Sequence, residues 1–177
     1  MPRKVDYPRC SFEDSIKIAK IVDKVGGRAP IGVIADSLGM KESGGGFVAK
    51  VNGAAKYGFL KKMGNDMVLT ELADKYFHPM DDKEKEEALL QSFKAVPIFN
   101  DVLNRSAGKE IDKTMLESML VRMFDVNRKV ASRVAWYFFK ANDQLHFLQK
   151  GPGGRYIIPE KNTGSQNNTN SVGKTEP

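Results

Sequence analysis

Residues 47–69, FVAKVNGAAKYGFLKKMGNDMVL, hold the reading on which the fold turns. The first eleven positions repeat at helical spacing. At 100° per residue Phe47, Val48, Val51, Ala54 and Ala55 fall on one side, and Ala49, Lys50, Asn52, Gly53 and Lys56 on the other. Gly58 stops the helix. Phe59-Leu60-Lys61-Lys62-Met63 and Met67-Val68-Leu69 then flank Gly64-Asn65-Asp66, the pattern of a β-hairpin with a glycine turn.

Working outward, two more helices precede this pair. Ser11 begins a capping-box-like run, and Phe12, Ile16, Ala19 and Val22 form an apolar stripe that Gly26-Gly27 ends. Pro30 suits the first turn of a second helix carrying Ile31, Ile34, Ala35 and Leu38, closed by Gly39. Downstream, Thr70 caps a fourth helix through about Phe77. The second half repeats the order. A long helix runs from about Asp82 to Ala95, and Pro97 starts another through Arg105. A third covers Lys113–Phe124, with Met115, Leu116, Met119, Leu120 and Met123 on one stripe. A fourth, capped by Asn127, reaches about Asn142. Leu145–Leu148 and Tyr156–Ile158 then flank Gly151-Pro152-Gly153-Gly154 as a second hairpin. The methionines, Met63 among them, read as core filler. Beyond Pro159 the chain is too polar to offset chain entropy, which predicts a disordered tail.

The expected class is therefore mainly α with short β-hairpins (α+β): two winged helix-turn-helix units in tandem. The first spans 1–78, a connecting helix 79–96, the second unit 97–159 and the tail 160–177. In such a unit the third helix enters the DNA major groove and the hairpin "wing" flanks it.

Leu38-Gly39, SGGGF (43–47), AAKYGFL (54–60), VLTELADKYF (68–77) and KAVPIFNDVL (94–103) resemble a group of uncharacterised prokaryotic winged-helix proteins, with the likeness running to about Phe147. The resemblance implies a DNA-binding type of fold. It offers no catalytic residues, operator or pathway to carry over.

Charge follows the same division. Residues 1–78 hold 13 Lys/Arg against 9 Asp/Glu, residues 79–112 hold 5 against 8, and residues 113–159 hold 8 against 3. The whole chain of 177 residues carries a net charge of +6. Two basic blocks flank an acidic one, as expected when two surfaces each face an anion and the connector faces only water. The run Asp81–Glu87 reads as a solvated helix start favoured by the helix dipole.

Two reading surfaces follow. On the first third helix Lys50 and Lys56 would reach phosphates and Asn52 a base edge, with Lys61 and Lys62 continuing the basic line along the hairpin. On the second, Arg128, Lys129, Ser132, Arg133, Trp136, Phe139 and Lys140 share an arc of the helical wheel, and Lys150 and Arg155 bracket the turn. Trp136 and Phe139 interrupt that polar face and are candidates for a protein contact or a homodimer. Arg3, Lys4 and Arg9 read first as a frayed basic terminus, and as an arm along a DNA backbone or minor groove in the alternative.

Other chemistries find no constellation. Cys10 is the single cysteine, and it lies apart from His78 and His146, so no nucleophile pair, disulfide, metal site or cofactor is expected, and no enzymatic activity. Gly173-Lys174-Thr175 ends like a phosphate-binding loop, but Asn168 stands where the motif needs its first glycine. The polar start, the lone thiol and the lack of any run near the ~18 apolar residues of a membrane span predict a cytoplasmic chain. The expected partner is double-stranded DNA. A winged-helix module docking on protein, or one binding RNA or single strands, is the alternative.

Overall fold

The computed structural model describes residues 5–160. It is mainly helical with two small antiparallel sheets. Of the expected tail only Glu160 lies within the described residues, and Arg3 and Lys4 lie outside them.

The first half runs α1 (Phe12–Lys24), β1 (Arg28–Pro30), α2 (Ile31–Ser37), α3 (Gly45–Lys56), β2 (Leu60–Met63) and β3 (Asp66–Leu69). Ser11 caps α1, its hydroxyl accepting from the Asp14 amide at 3.1 Å. Glu13 and Asp14 place their charge at the positive end of the helix dipole. Met63 pairs with Asp66, leaving Gly64-Asn65 as a two-residue turn. Gly64 has φ 62°, the sign that a type II′ turn requires at its first position. After α4 (Glu71–Phe77), capped by Thr70, and α5 (Asp82–Lys94), the second half runs α6 (Pro97–Arg105), β4 (Glu110–Ile111), α7 (Lys113–Met123), α8 (Arg128–Lys140), α9 (Asn142–Leu145), β5 (Gln149–Lys150) and β6 (Tyr156–Ile157). The order helix, strand, helix, helix, strand, strand thus occurs twice, with α9 inserted before β5. The sheets repeat it, as β1-β3-β2 and β4-β6-β5.

Four expectations are corrected. First, each sheet has a third strand that periodicity did not reveal. β1 is three residues long and ends on Pro30, which sits at the N-cap of α2 rather than in its first turn. Second, Leu145–Leu148 is not a strand. Helix α9 continues from α8, and His146 closes it in the left-handed conformation (φ 51°). The Asn142 side chain accepts from the Leu148 amide at 2.9 Å, and Phe147 turns onto Phe93, so pairing starts only at Gln149.

Third, the connector does not face only water. Its charged start is solvated, with Asp81 capping Glu84, but Ala88, Leu89, Ser92 and Phe93 of α5 are buried. Phe93 and Phe99 stack with ring centroids 4.9 Å apart, and both pack on Phe138 at 5.4 and 5.7 Å. Phe12 meets Phe93 at 5.9 Å and Tyr57 meets Phe99 at 6.3 Å. One aromatic cluster therefore joins residues of both halves, and the buried core is continuous. Each of these rings contributes on the order of 2 kcal/mol by burial.

Fourth, the methionines are not all filler. Met63 is exposed at the end of β2, and Met115 and Met123 are exposed because Leu116 and Leu120 take the inward stripe of α7.

Candidate nucleic-acid interface

Helix α8 is held by its apolar side. Ala131, Val134, Ala135, Tyr137 and Phe138 are buried, and the Asn127 side chain caps the start by accepting from the Lys129 amide at 2.9 Å. Arg128, Lys129, Ser132, Arg133 and Trp136 are left in solvent, close to the expected arc. Arg128, Lys129 and Arg133 form no ion pair among the described residues. A groove of about 460 Å³ runs beside them, lined by Lys113, Lys129, Ser132, Arg133, Trp136 and Tyr137. Trp136 is 46% exposed, its ring edge-on to Tyr137 at 5.6 Å. Lys113 was not among the sequence candidates. It follows the Asp112 cap of α7, and only the packing of α7 beside α8 brings it to the groove.

Three of the other candidates on this half are engaged, and Lys150 is not. Lys140 Nζ lies 2.7 Å from Asp143 Oδ2, and that hydrogen bond holds its pKa above the usual lysine value. Arg155 spans Glu110 at 3.2 Å and Asp112 at 3.8 Å. Phe139 is half-buried against Tyr156 of β6, ring centroids 5.4 Å apart, so its partner is internal. Lys150 is exposed on β5.

The first surface is assembled differently. Helix α3 packs on α1 through Gly53, which is buried, and exposes Val48. The wheel assignment of these two is thereby reversed. The core side is Phe47, Val51 and Ala54, and the close approach to α1 rotates Val48 outward. Asn52 is exposed as expected. Both lysines of α3 meet carboxylates. Lys50 Nζ lies 3.0 Å from Asp14 Oδ2, and Lys56 pairs with Asp6. Asp6 belongs to the segment Val5–Arg9, which together with Gly45, Val48, Ala49, Asn52 and Lys56 encloses a cavity of about 600 Å³. Lys61 and Lys62 are exposed on β2 without an ion pair among the described residues. The carboxylate partners Asp6 and Asp14 carry no sequence signal, since both come from elements remote in the chain.

Among the described residues no group of three His, Cys, Asp or Glu side chains is placed to hold a metal ion, and no helix is long and apolar enough to cross a membrane. Cys10 is buried beside Ser15, its Sγ 3.2 Å from the Ser15 hydroxyl, and burial raises its pKa. That environment disfavours the thiolate a nucleophile needs. Comparison of the chain with protein-family models, curated proteins and solved structures finds no match.

Proposed function

We propose that this chain is a non-catalytic double-stranded DNA-binding protein made of two winged-helix units, a transcriptional regulator or accessory factor, and that α8 supplies its principal contact. The observation that carries the reading is the cationic face of α8: Arg128, Lys129 and Arg133, without an ion pair among the described residues, beside a groove. The repeated order of elements, with a hairpin following the third helix each time, supports the winged-helix assignment, in line with the resemblance seen in the sequence. Exposed cations that are not already neutralised attract phosphate most strongly, because binding releases the condensed counterions.

On this reading Arg128, Lys129, Arg133, Lys150, Lys61 and Lys62 supply phosphate contacts, and Asn52 and Arg128 are the candidates for base edges. Contact at all six cations gives a slope of log affinity against log salt near −5, and α8 alone near −3. Titration of a labelled duplex across salt measures it. Changing Arg128 and Arg133 together to Ala should flatten the slope by about 2. Binding that ignores both salt and these arginines would sink the reading.

A second reading has one observation in its favour. Trp136, Met115 and Met123 are large apolar side chains left in solvent on α7 and α8, as a protein-docking module would present. It foretells a stable complex with another protein or a second copy, and no duplex shift at modest salt.

A further inference from the structure

The cavity beside α3 is formed by the chain's own N-terminal segment. Val5 and Tyr7 are partly buried against the core, and Asp6, between them, pairs with Lys56 of α3. Val5, Asp6, Tyr7 and Arg9 line one side of the cavity. Val48, Ala49, Asn52 and Lys56, the outward residues of α3, line the other. Asp14 engages the second lysine of the helix, Lys50, from α1.

We propose that residues 5–9 are a built-in mask, which stands across from the outward face of α3 and holds a carboxylate against Lys56, so that the first unit contributes to duplex binding only when this segment lifts. The inference rests on the DNA-binding reading and adds its regulation. Its physical basis is competition. A duplex phosphate and the Asp6 carboxylate are rivals for the same cation, and a duplex backbone entering the space between the segment and α3 would have to displace the segment. A segment docked nine-tenths of the time lowers the apparent affinity of the covered face roughly tenfold.

Tyr7→Ala tests this without changing net charge. Duplex titration across salt should show the variant binding roughly tenfold tighter than the unaltered protein at low salt. The slope should steepen by about 1 to 2, as one or two further phosphates are engaged. Asp6→Asn, which leaves the packing intact, should also tighten binding. The gain should exceed that of Glu86→Gln, an equal charge change on the exposed side of α5. Replacing both Lys50 and Lys56 by Gln should abolish the gain from either variant.

Unchanged affinity and slope in both Tyr7→Ala and Asp6→Asn would overturn the mask while leaving the α8 reading intact. Weaker binding by Tyr7→Ala would overturn it too, making the segment itself a DNA contact. No duplex shift by any of these proteins, the unaltered one included, would overturn mask and DNA-binding reading together.

Discussion

The sulfur of Cys10 occupies the place where a side chain at Gly53 would begin. A Cβ built on Gly53 would overlap Cys10 Sγ and lie 3.5 Å from Cys10 Cβ and 3.6 Å from Ser15 Oγ. The side chains of Cys10 and Ser15 thus pack directly against the bare backbone of α3 at Gly53, and that contact leaves Asn52 and Val48 outward.

Gly53→Ala should destabilise the protein by about 1–3 kcal/mol through overpacking, although alanine is the better helix former by about 1 kcal/mol. Cys10→Ala removes the offending sulfur, so the double variant should regain most of the loss. Denaturant unfolding of the four proteins measures the coupling. Additive effects would show that the two residues do not share this space.

Tyr57 is fully buried and its hydroxyl has no hydrogen-bond partner among the described residues. Removing it should therefore cost nothing. Tyr57→Phe should be as stable as the parent at neutral pH, or more stable by about 1 kcal/mol. A loss of 2 kcal/mol or more would reveal a partner for the hydroxyl.

The same residue gives the protein an alkaline limit. Burial raises the Tyr57 pKa well above the usual tyrosine value, and it raises that of Cys10 as well. Both groups are held neutral in the fold, so the native state binds more protons than the unfolded chain. Stability is then complete below the unfolded pKa values and falls as pH rises through them, near 10 for tyrosine. Melting temperature should decline above about pH 9, and Tyr57→Phe with Cys10→Ala should flatten the decline. An unaltered slope in the double variant would place the effect elsewhere.

Phe93 and Phe99 tie the halves together, so the chain should unfold as one unit. Phe93→Ala should cost about 3–5 kcal/mol. Circular dichroism and the fluorescence of Trp136, which lies in the second half, should move through one coincident transition. Two separated transitions in the parent protein would mean that the aromatic cluster does not couple the halves.

Trp136 distinguishes the two functional readings. It is half in solvent, so Trp136→Ala should change stability by no more than about 0.5 kcal/mol. On the DNA reading duplex binding persists in this variant, because the neighbouring cations supply the affinity. On the docking reading the variant loses its protein partner or its self-association, which sedimentation velocity would show.

Much of the fold was legible in the local pattern. Ser11, Thr70 and Asn127 announce helix starts by their side-chain chemistry, and each accepts a backbone N–H where expected. The hairpin at Gly64 follows from turn chemistry in the same way. Strands β1 and β4 escaped because two or three residues carry no period, and they exist only where β3 and β6 are present to pair with them. The strand expected at Leu145–Leu148 failed because Phe147 is drawn onto Phe93, a residue more than fifty positions away.

For the candidate surfaces the division is the same. The amino-acid order alone determined that the chain is helical with glycine-turned hairpins and that cations gather on the helix from Arg128, because helix periodicity and side-chain charge are local properties. Which cations remain available was decided by tertiary structure. Asp6 and Asp14 meet the lysines of α3, Glu110 and Asp112 meet Arg155, and Arg128, Lys129 and Arg133 have no ion pair among the described residues. Partners of Lys56 and Arg155 lie about fifty residues from them in the chain, and an ion pair needs charges within a few ångströms, a proximity only the folded backbone creates.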